Sequence, residues 1–292
     1  MSDPFRQPID ASTRYCAVFG HPIKHSASPA MQNAGLAALG LNWRYLACEV
    51  APDNLRQAID GAKRMGFVGL NLTVPHKLLA VEMVDALDDS AKTWGAVNTI
   101  RFEPDRDGVI RSQGFNTDAE AITRSLNDDL GVELRGANVL LLGAGGAGRV
   151  AALKLADAAV GELHLVNRTE AKAAALAEEI RTRRPGVQVS VGYPRTAVDL
   201  VLNATSLGLR VEDALPFAAE KFFLRQTRAA YDMVYRPAET PFLQAASAAG
   251  CRTANGLGML LYQGAKALEI WSGQPAPVEI MRRALMENVY GH

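Results

Sequence analysis

Ala137-Asn138-Val139-Leu140-Leu141-Leu142-Gly143-Ala144-Gly145-Gly146-Ala147-Gly148 is an apolar run that breaks into a glycine loop, and a helix-compatible stretch follows at once. The glycines at 143, 145 and 148 fit the pattern G-x-G-x-x-G. Glycine lets a backbone turn sharply and approach a pyrophosphate closely. The first turn of the next helix offers unpaired N–H groups and the positive end of a dipole to the phosphates. A strand-to-helix turn can also carry glycines for architectural reasons alone, so the loop by itself leaves both readings open.

The strand that follows discriminates between them. Residues 162–166 read as that strand, and it ends in Asn167-Arg168-Thr169, 24 positions beyond Gly143. An NAD site ordinarily has a carboxylate there, to pair with the ribose 2′-OH. An amide, a guanidinium and a hydroxyl suit a 2′-phosphate instead, so the expected cofactor is NADP. Lys172, one turn into a helix predicted over 170–184, offers a second cation, and Glu170 opposes it. In the plainer alternative Thr169 caps this helix, and Arg168 and Lys172 are solvated surface charges.

Outward from the loop, the pattern from residue 134 runs strand, loop, helix, strand, helix, with further strands at 187–191, 199–202, 229–233 and 251–254. Six strands suit a doubly wound, Rossmann-like parallel sheet. More than 130 residues precede the loop, so this unit is not the first domain. The front part alternates strands at 15–19, 43–50, 67–74, 98–102 and 109–112 with helices at 30–39 and 52–65, a helix through Leu78, Val81, Met83 and Val84, and one from Asp118. After Gly256-Leu257-Gly258-Met259-Leu260 come two amphipathic helices, 260–271 and 278–289, with no strand of their own. They are expected to pack back on the front domain. The fold class is therefore α/β in two domains: an N-terminal α/β substrate domain of residues 1–118 plus 256–292, and a doubly wound NADP-binding domain of residues 119–255.

The whole-chain composition narrows the function classes. In 292 residues, 31 basic side chains balance 31 acidic ones, which points to no nucleic-acid surface and no polybasic membrane anchor. Small polar ligands are the expected partners. Three distant cysteines, Cys16, Cys48 and Cys251, suggest neither a disulfide framework nor a zinc ribbon, and the five histidines form no metal motif. The stretch Met1 to Thr13 has no apolar signal core, and no run of about eighteen apolar residues occurs, so a cytoplasmic protein is expected.

Three polar clusters give the front domain a chemistry. In Asn71-Leu72-Thr73-Val74-Pro75-His76-Lys77, strand periodicity puts Asn71 and Thr73 on one face, and Lys77 opens a helix after Pro75, so three donors converge on a small hydroxylated ligand. A turn with a solvated lysine is the alternative. Gly95-Ala96-Val97-Asn98-Thr99 and Gly114-Phe115-Asn116-Thr117-Asp118 are the second and third clusters. There Asn116 or Thr117 can serve as a helix cap and Asp118 as a first-turn acid. Near the start, His25-Ser26-Ala27-Ser28-Pro29 precedes a helix, with Ser28 a candidate cap. A helix needs only one cap, and two hydroxyls at its amino end suit a carboxylate.

Taken in order, these segments resemble the shikimate dehydrogenase family over residues 18 to about 285. The resemblance rests on Gly20-His21-Pro22 with the His25–Pro29 motif, on Asn71 to Lys77, Ala96 to Thr99 and Asn116 to Asp118, and on the glycine loop with Asn167-Arg168-Thr169. Asn203-Ala204-Thr205-Ser206, Tyr231-Asp232-Met233-Val234-Tyr235 and Asn255 to Leu260 complete it. It implies that Ser26 and Ser28, assisted by Tyr235, hold the substrate carboxylate. It also implies that Thr73, Asn98, Asp118 and Gln263 bind ring hydroxyls, and that Lys77 is catalytic with Asp118 as its partner. The cofactor contacts implied are the loop Gly143, Ala144, Gly145, Gly146, Ala147 and Gly148, then Asn167, Arg168, Thr169, Met233 and Gly256. Lys172 stands where many relatives carry arginine, which keeps the charge and loses the planar fork.

The implied activity is the reversible NADP-dependent reduction of 3-dehydroshikimate to shikimate, on the route to chorismate and the aromatic amino acids, in a cleft between the two domains. Hydride transfer to a ketone leaves an alkoxide. An ammonium such as that of Lys77 stabilises that charge and donates its proton, while Asp118 orients it. In the oxidative direction the pair accepts a proton, so oxidation is expected to be faster at alkaline pH. The nearest rival is a quinate or dual quinate/shikimate dehydrogenase preferring NAD, and an aminated substrate is a further variant. A catalytically silent NADP-binding regulator is the rival of another class. Its signature would be loss of Lys77 or Asp118, and both are present. A monomer or homodimer is expected.

Overall fold

The computed structural model describes residues 9–210 and 212–291. The sequence readings of residues 1–8 and of His292 lie outside them. Two compact units are present, one formed by the chain up to Asp118 together with residues from Leu261 onward, the other by Ala119–Leu260.

In the first unit β1 (Arg14–Gly20) lies parallel to both its neighbours, β2 (Trp43–Glu49) and β3 (Gly69–Leu72). Helices α1 (Ser28–Ala38) and α2 (Leu55–Arg64) make the crossovers. Cys16, Ala17, Val18 and Phe19 are all buried, and a strand covered on both faces reads as an unbroken apolar run. Leu55, Ile59 and Ala62 form the single buried stripe of α2 and pack over β1 and β3. Beyond β3 the sheet turns antiparallel through β5 (Thr99–Pro104) and β6 (Ile110–Phe115), and β4 (Ala86–Leu87) closes the order β2-β1-β3-β5-β6-β4.

The amphipathic helix expected through Leu78, Val81, Met83 and Val84 does not form. Instead α3 (His76–Leu79) is a single turn, a 3₁₀ turn over Ala80–Glu82 follows, and α4 (Asp89–Trp94) begins after β4. Asp88 starts the next helix, its carboxylate accepting the Ala91 N–H at 2.8 Å and capping α4. Leu78 and Leu79 are consequently exposed, while Val81, Met83 and Val84 still reach the core from irregular backbone.

In the second unit α5 (Asp118–Asp128) leads to β7 (Asn138–Leu142), α6 (Gly146–Asp157), β8 (Glu162–Val166), α7 (Glu170–Arg183), β9 (Gln188–Val191), β10 (Val198–Asn203), β11 (Thr227–Asp232), α8 (Pro241–Ala248) and β12 (Arg252–Asn255). All five strand pairings are parallel, in the order β12-β11-β10-β7-β8-β9. The six-strand doubly wound sheet expected from sequence is therefore present. Its direction of winding reverses between β7 and β10, where such sheets bind ligands at the carboxyl ends of their strands. His164 sits on β8 with Nδ1 2.7 Å from the Ser190 hydroxyl, a packed imidazole near the sheet edge.

Helices α9 (Leu257–Ser272) and α10 (Val278–Tyr290) end the chain. Because α9 starts directly after Gly256 and runs without a break, the unit boundary falls inside it, after Leu260, rather than at residue 255. Its later turns and α10 cover the first unit. Gln32 donates to the Gly264 carbonyl at 2.8 Å, and Trp271 Nε1 donates to the Ile100 carbonyl at 2.9 Å. That indole bond passes directly over Gly69, where a β-carbon would collide with both of its partners. Gly69→Ala is accordingly expected to destabilise the protein by about 3 kcal/mol, from overpacking plus loss of the Trp271 anchor, read from chemical denaturation. Among the described residues no helix is long and apolar enough to cross a membrane.

Candidate functional site

In the first unit the polar clusters of the sequence meet at the ends of β3, β5 and β6. The Thr73 carbonyl accepts the His76 N–H at 2.8 Å, turning the chain into α3 and presenting Lys77. Lys77 Nζ donates to Asp118 Oδ2 at 2.7 Å, with the lysine side chain 32% exposed and the aspartate 11%. The pair is thus anchored on its acidic side and open on its basic side. Backbone bonds hold both members: Val97 N–H donates to the Lys77 carbonyl at 2.8 Å, and Asp118 N–H to Asn116 Oδ1 at 3.1 Å. Asn116 therefore acts as the turn-maker before α5.

Asn98 and Thr117 clamp each other. Asn98 Oδ1 accepts the Thr117 N–H at 2.8 Å, Asn98 Nδ2 donates to Thr117 Oγ1 at 2.9 Å, and Thr117 Oγ1 donates to the Gln263 carbonyl at 3.1 Å. This last bond brings Gln263, on α9, to the same cluster. Asn71 is buried and committed internally: Oδ1 accepts from the Tyr45 phenol at 2.7 Å, and Nδ2 donates to Thr99 Oγ1 at 3.0 Å and to the Asn98 carbonyl at 3.2 Å. It braces Asn98. Thr73, by contrast, is half-buried and its hydroxyl has no partner among the described residues.

Ser26 and Ser28 flank the start of α1, yet neither is its cap. Ala27 occupies that position without a side-chain bond, and Ser28 is the first helical residue. Ser26 Oγ accepts the Ser28 N–H at 3.4 Å. Burial pushes the Tyr45 phenol well above its usual range, so it remains a neutral donor. Tyr45, Asn71 and Asn98 are linked in one buried chain of hydrogen bonds that reaches the Lys77 cluster. His76 is fully buried, and burial lowers its pKa. Its Nε2 lies 2.9 Å from the Val50 carbonyl, which requires a proton on Nε2 and leaves Nδ1 as an unpaired acceptor.

The second unit holds the residues expected from sequence to contact a cofactor. Gly143 has φ +107°, its N–H donates to the Val166 carbonyl at 2.7 Å, and the Ala144 N–H donates to Asn167 Oδ1 at 2.9 Å. Gly145 caps α6 with no side chain on the helix end, and open space surrounds both Gly145 and Gly146. Ala147 is exposed beside them, whereas Gly148 is buried and packed so tightly that a β-carbon would strike the Gly143 carbonyl. A cradle with free helix N–H groups and bare glycines fits a pyrophosphate. Arg168, Thr169 and Lys172 are all exposed, and neither cation forms an ion pair among the described residues. Thr169 stands at the N-cap of α7 but makes no capping bond, so the capping alternative fails and its hydroxyl stays available. Asn167 instead ties the strand tip to the loop, donating to the Thr169 carbonyl at 2.9 Å.

Met233 and Gly256 touch each other: the Met233 carbonyl occupies the space a β-carbon on Gly256 would need. Tyr235 follows Met233 in the second unit, and burial raises its phenol. The sequence reading assigned no role to Asp232, which is fully buried at the tip of β11 and bonded to Asn203 and Thr240. The available signal was a carboxylate ending the apolar strand Ala229-Ala230-Tyr231. Among the described residues no group of three or more His, Cys, Asp or Glu is placed to hold a metal ion.

Three family models match in chain order. They are the shikimate dehydrogenase substrate binding domain at residues 18–100, the shikimate / quinate 5-dehydrogenase at 125–206, and the shikimate 5′-dehydrogenase C-terminal domain at 256–286. The shikimate dehydrogenase (NADP(+)) of Methanopyrus kandleri is 40% identical over 289 residues, covering 96% of this chain and 98% of the relative. A crystal structure of a shikimate dehydrogenase in complex with NADP+ superposes with a TM-score of 0.86 at 37% identity, covering 97% of this chain and 98% of the other. The Thermus thermophilus shikimate 5-dehydrogenase in complex with NADP(H) and shikimate gives 0.81 at 37% identity, covering 94% and 99%.

Proposed function

The chain belongs to the shikimate dehydrogenase family, and we propose that it catalyses the reversible, NADP-dependent reduction of 3-dehydroshikimate to shikimate in the shikimate pathway. It is an oxidoreductase acting on a secondary alcohol. The observation that carries this reading is the Lys77–Asp118 pair, 2.7 Å apart and open on the lysine side.

Bound NADPH supplies the hydride. As the carbonyl oxygen gains negative charge, the Lys77 ammonium donates a hydrogen bond and then its proton to it. Asp118 holds the lysine in place and accepts a ring hydroxyl. Thr73 and the second N–H of Asn98 Nδ2 contact the hydroxyls, with Gln263 beside them and Asn71 bracing Asn98. Ser26 and Ser28 hold the carboxylate, assisted by Tyr235. In the cofactor half, residues Gly143 to Gly148 hold the pyrophosphate, and Met233 and Gly256 line the nicotinamide end. Arg168, Thr169 and Lys172 bind the 2′-phosphate, and Asn167 fixes the strand tip from which they project.

Three free cysteines, two of them buried, support a place in a reducing cytoplasm, and a monomer or a homodimer is the proposed assembly. The quinate and NAD alternative is tested by initial rates with shikimate and quinate, each against NADP+ and NAD+. Shikimate with NADP+ is expected to exceed every other pairing in kcat/KM by at least about tenfold, one decade being about 1.4 kcal/mol of transition-state binding. A higher value for quinate with NAD+ would overturn both the substrate and the cofactor assignment.

A further inference from the structure

Asp232 is a buried carboxylate that the reaction scheme leaves unused. It ends β11 at 0% exposure, in register with Asn203 at the tip of β10 and Asn255 at the tip of β12. Its Oδ1 accepts from Asn203 Nδ2 at 2.9 Å and from the Val234 N–H at 3.0 Å. Its Oδ2 accepts from the Thr240 hydroxyl at 2.6 Å, and Thr240 in turn caps α8. One carboxylate thus joins the ends of two strands, the turn after β11 and the start of a helix.

The bond to Asn203 reaches the glycine loop. Asn203 Oδ1 accepts from Thr205 N and Thr205 Oγ1 at 3.0 and 2.7 Å, and Nδ2 also donates to the Leu207 carbonyl at 3.0 Å, so this amide organises the whole 203–207 loop. That loop abuts the cradle. Ala204 N–H donates to the Leu142 carbonyl at 2.8 Å, and a β-carbon on Gly143 would meet Ala204 and Thr205 atoms at 3.0 Å. Gly208, at φ +110°, brings the loop back against Thr240, its β-carbon position being 3.2 Å from Thr240 Cβ.

Ionisation of this carboxyl does not itself add stability. Burial pushes Asp232 up to about 6, against hydrogen bonds from Thr240, Val234 and Asn203 that pull it down. A carboxyl raised in the folded state binds its proton more tightly there than in the unfolded chain. Its contribution to stability therefore falls as pH rises from about 4 to about 6. At neutral pH the ionised form is retained at a cost, and what it contributes is geometry.

We propose that Asp232 is a positioning residue for the dinucleotide, acting through Asn203 to hold the 203–207 loop as one wall of the glycine cradle. It rests on the NADP assignment above and concerns binding rather than the choice of substrate. The test measures NADP+ affinity by titration calorimetry without substrate, kcat and KM for shikimate, and the unfolding midpoint, in Asp232→Asn, Thr240→Val and the conservative Thr240→Ser. Asp232→Asn replaces one of two oxygens that accept from three donors by an NH2 group and is expected to raise the NADP+ Kd at least about tenfold, about 1.4 kcal/mol, while the KM for shikimate stays within about twofold. Thr240→Val removes one donor and is expected to raise Kd about threefold. Thr240→Ser keeps the hydroxyl that donates to Asp232 and caps α8, and is expected to retain most of the affinity lost in Thr240→Val. Unchanged Kd in Asp232→Asn and Thr240→Val, with only the unfolding midpoint moved, would overturn the proposal, and Thr240→Val decides by the same criterion where Asp232→Asn does not fold. Failure of the unsubstituted protein to bind NADP+ would sink the cofactor assignment instead, so the two failures are distinguishable.

Discussion

Lys77→Ala is expected to lower kcat for shikimate oxidation and for dehydroshikimate reduction by about 100- to 10,000-fold, while the KM for shikimate stays within about threefold. The asymmetry follows from when the ammonium matters. In the proposed scheme the ground-state alcohol and ketone are neutral and held by other groups: the serines at the carboxylate, and Thr73, Asn98 and Asp118 at the hydroxyls. Charge on the reacting oxygen develops only on the way to the transition state, and a group that responds to that charge alone acts on kcat. Lys77 is placed to respond, since its Nζ is fixed by Asp118 at 2.7 Å while about a third of the side chain remains open. Lys77→Arg keeps the charge in a wider, planar head of much higher pKa and is expected to recover little of the rate. Initial rates in both directions check this. An alanine variant that keeps its turnover would remove Lys77 as the proton donor, and one that loses only KM would make it a binding group.

The parts of the molecule that were legible in its sequence share a physical reason. In the second unit β7, β10 and β11 are buried on both faces, so each reads as an unbroken apolar run, and the glycine loop marks where the first of them ends. Order and parallel topology follow from alternation with helices. The first unit was harder where its elements are short. A single-turn α3, a two-residue β4 and the six-residue α4 leave no room for periodicity, and the start of α4 is marked by one side-chain cap, Asp88. The passage between units was not legible either, because α9 crosses it as one helix.

Within the site the same distinction holds. Lys77, Asp118 and Thr73 stood out as chemistry-bearing types at the ends of predicted strands and helices. The division of labour between Asn71, Asn98 and Thr117 did not, since it is set by partners such as Tyr45 and Gln263 that lie 26 and 146 positions away. Thr169 could have been a cap, a ligand group or both by sequence, and the structure shows it at the N-cap position without a capping bond. Asp232 lay inside a quoted motif, yet its task depends on three donors converging from different segments. A hydrogen-bond network is a property of the fold, and a linear pattern shows its members without their bonds.

Gly148→Ala is expected to raise the NADP+ Kd by about 100-fold, the scale of a displacement of about 1 Å at a binding group, whereas Gly146→Ala should be tolerated by the fold. The two glycines are two positions apart and face opposite situations. A β-carbon on Gly148 would strike the Gly143 carbonyl, and Gly143 has nowhere to go. It sits at φ +107°, its N–H is bonded to the Val166 carbonyl at 2.7 Å, and Ala204 and Thr205 close on its other side. The helix must therefore move off the strand, carrying its free N–H groups away from the phosphates, and overpacking adds a loss of about 1–3 kcal/mol in stability. Gly146 opens α6 with nothing within 4 Å of its β-carbon position. Alanine there gains up to about 1 kcal/mol of helix propensity, so its unfolding midpoint should equal or exceed that of the unsubstituted protein. Calorimetric titration with NADP+ alongside chemical denaturation separates the cases. Unaltered NADP+ affinity in Gly148→Ala would mean that the pyrophosphate is not held by this loop.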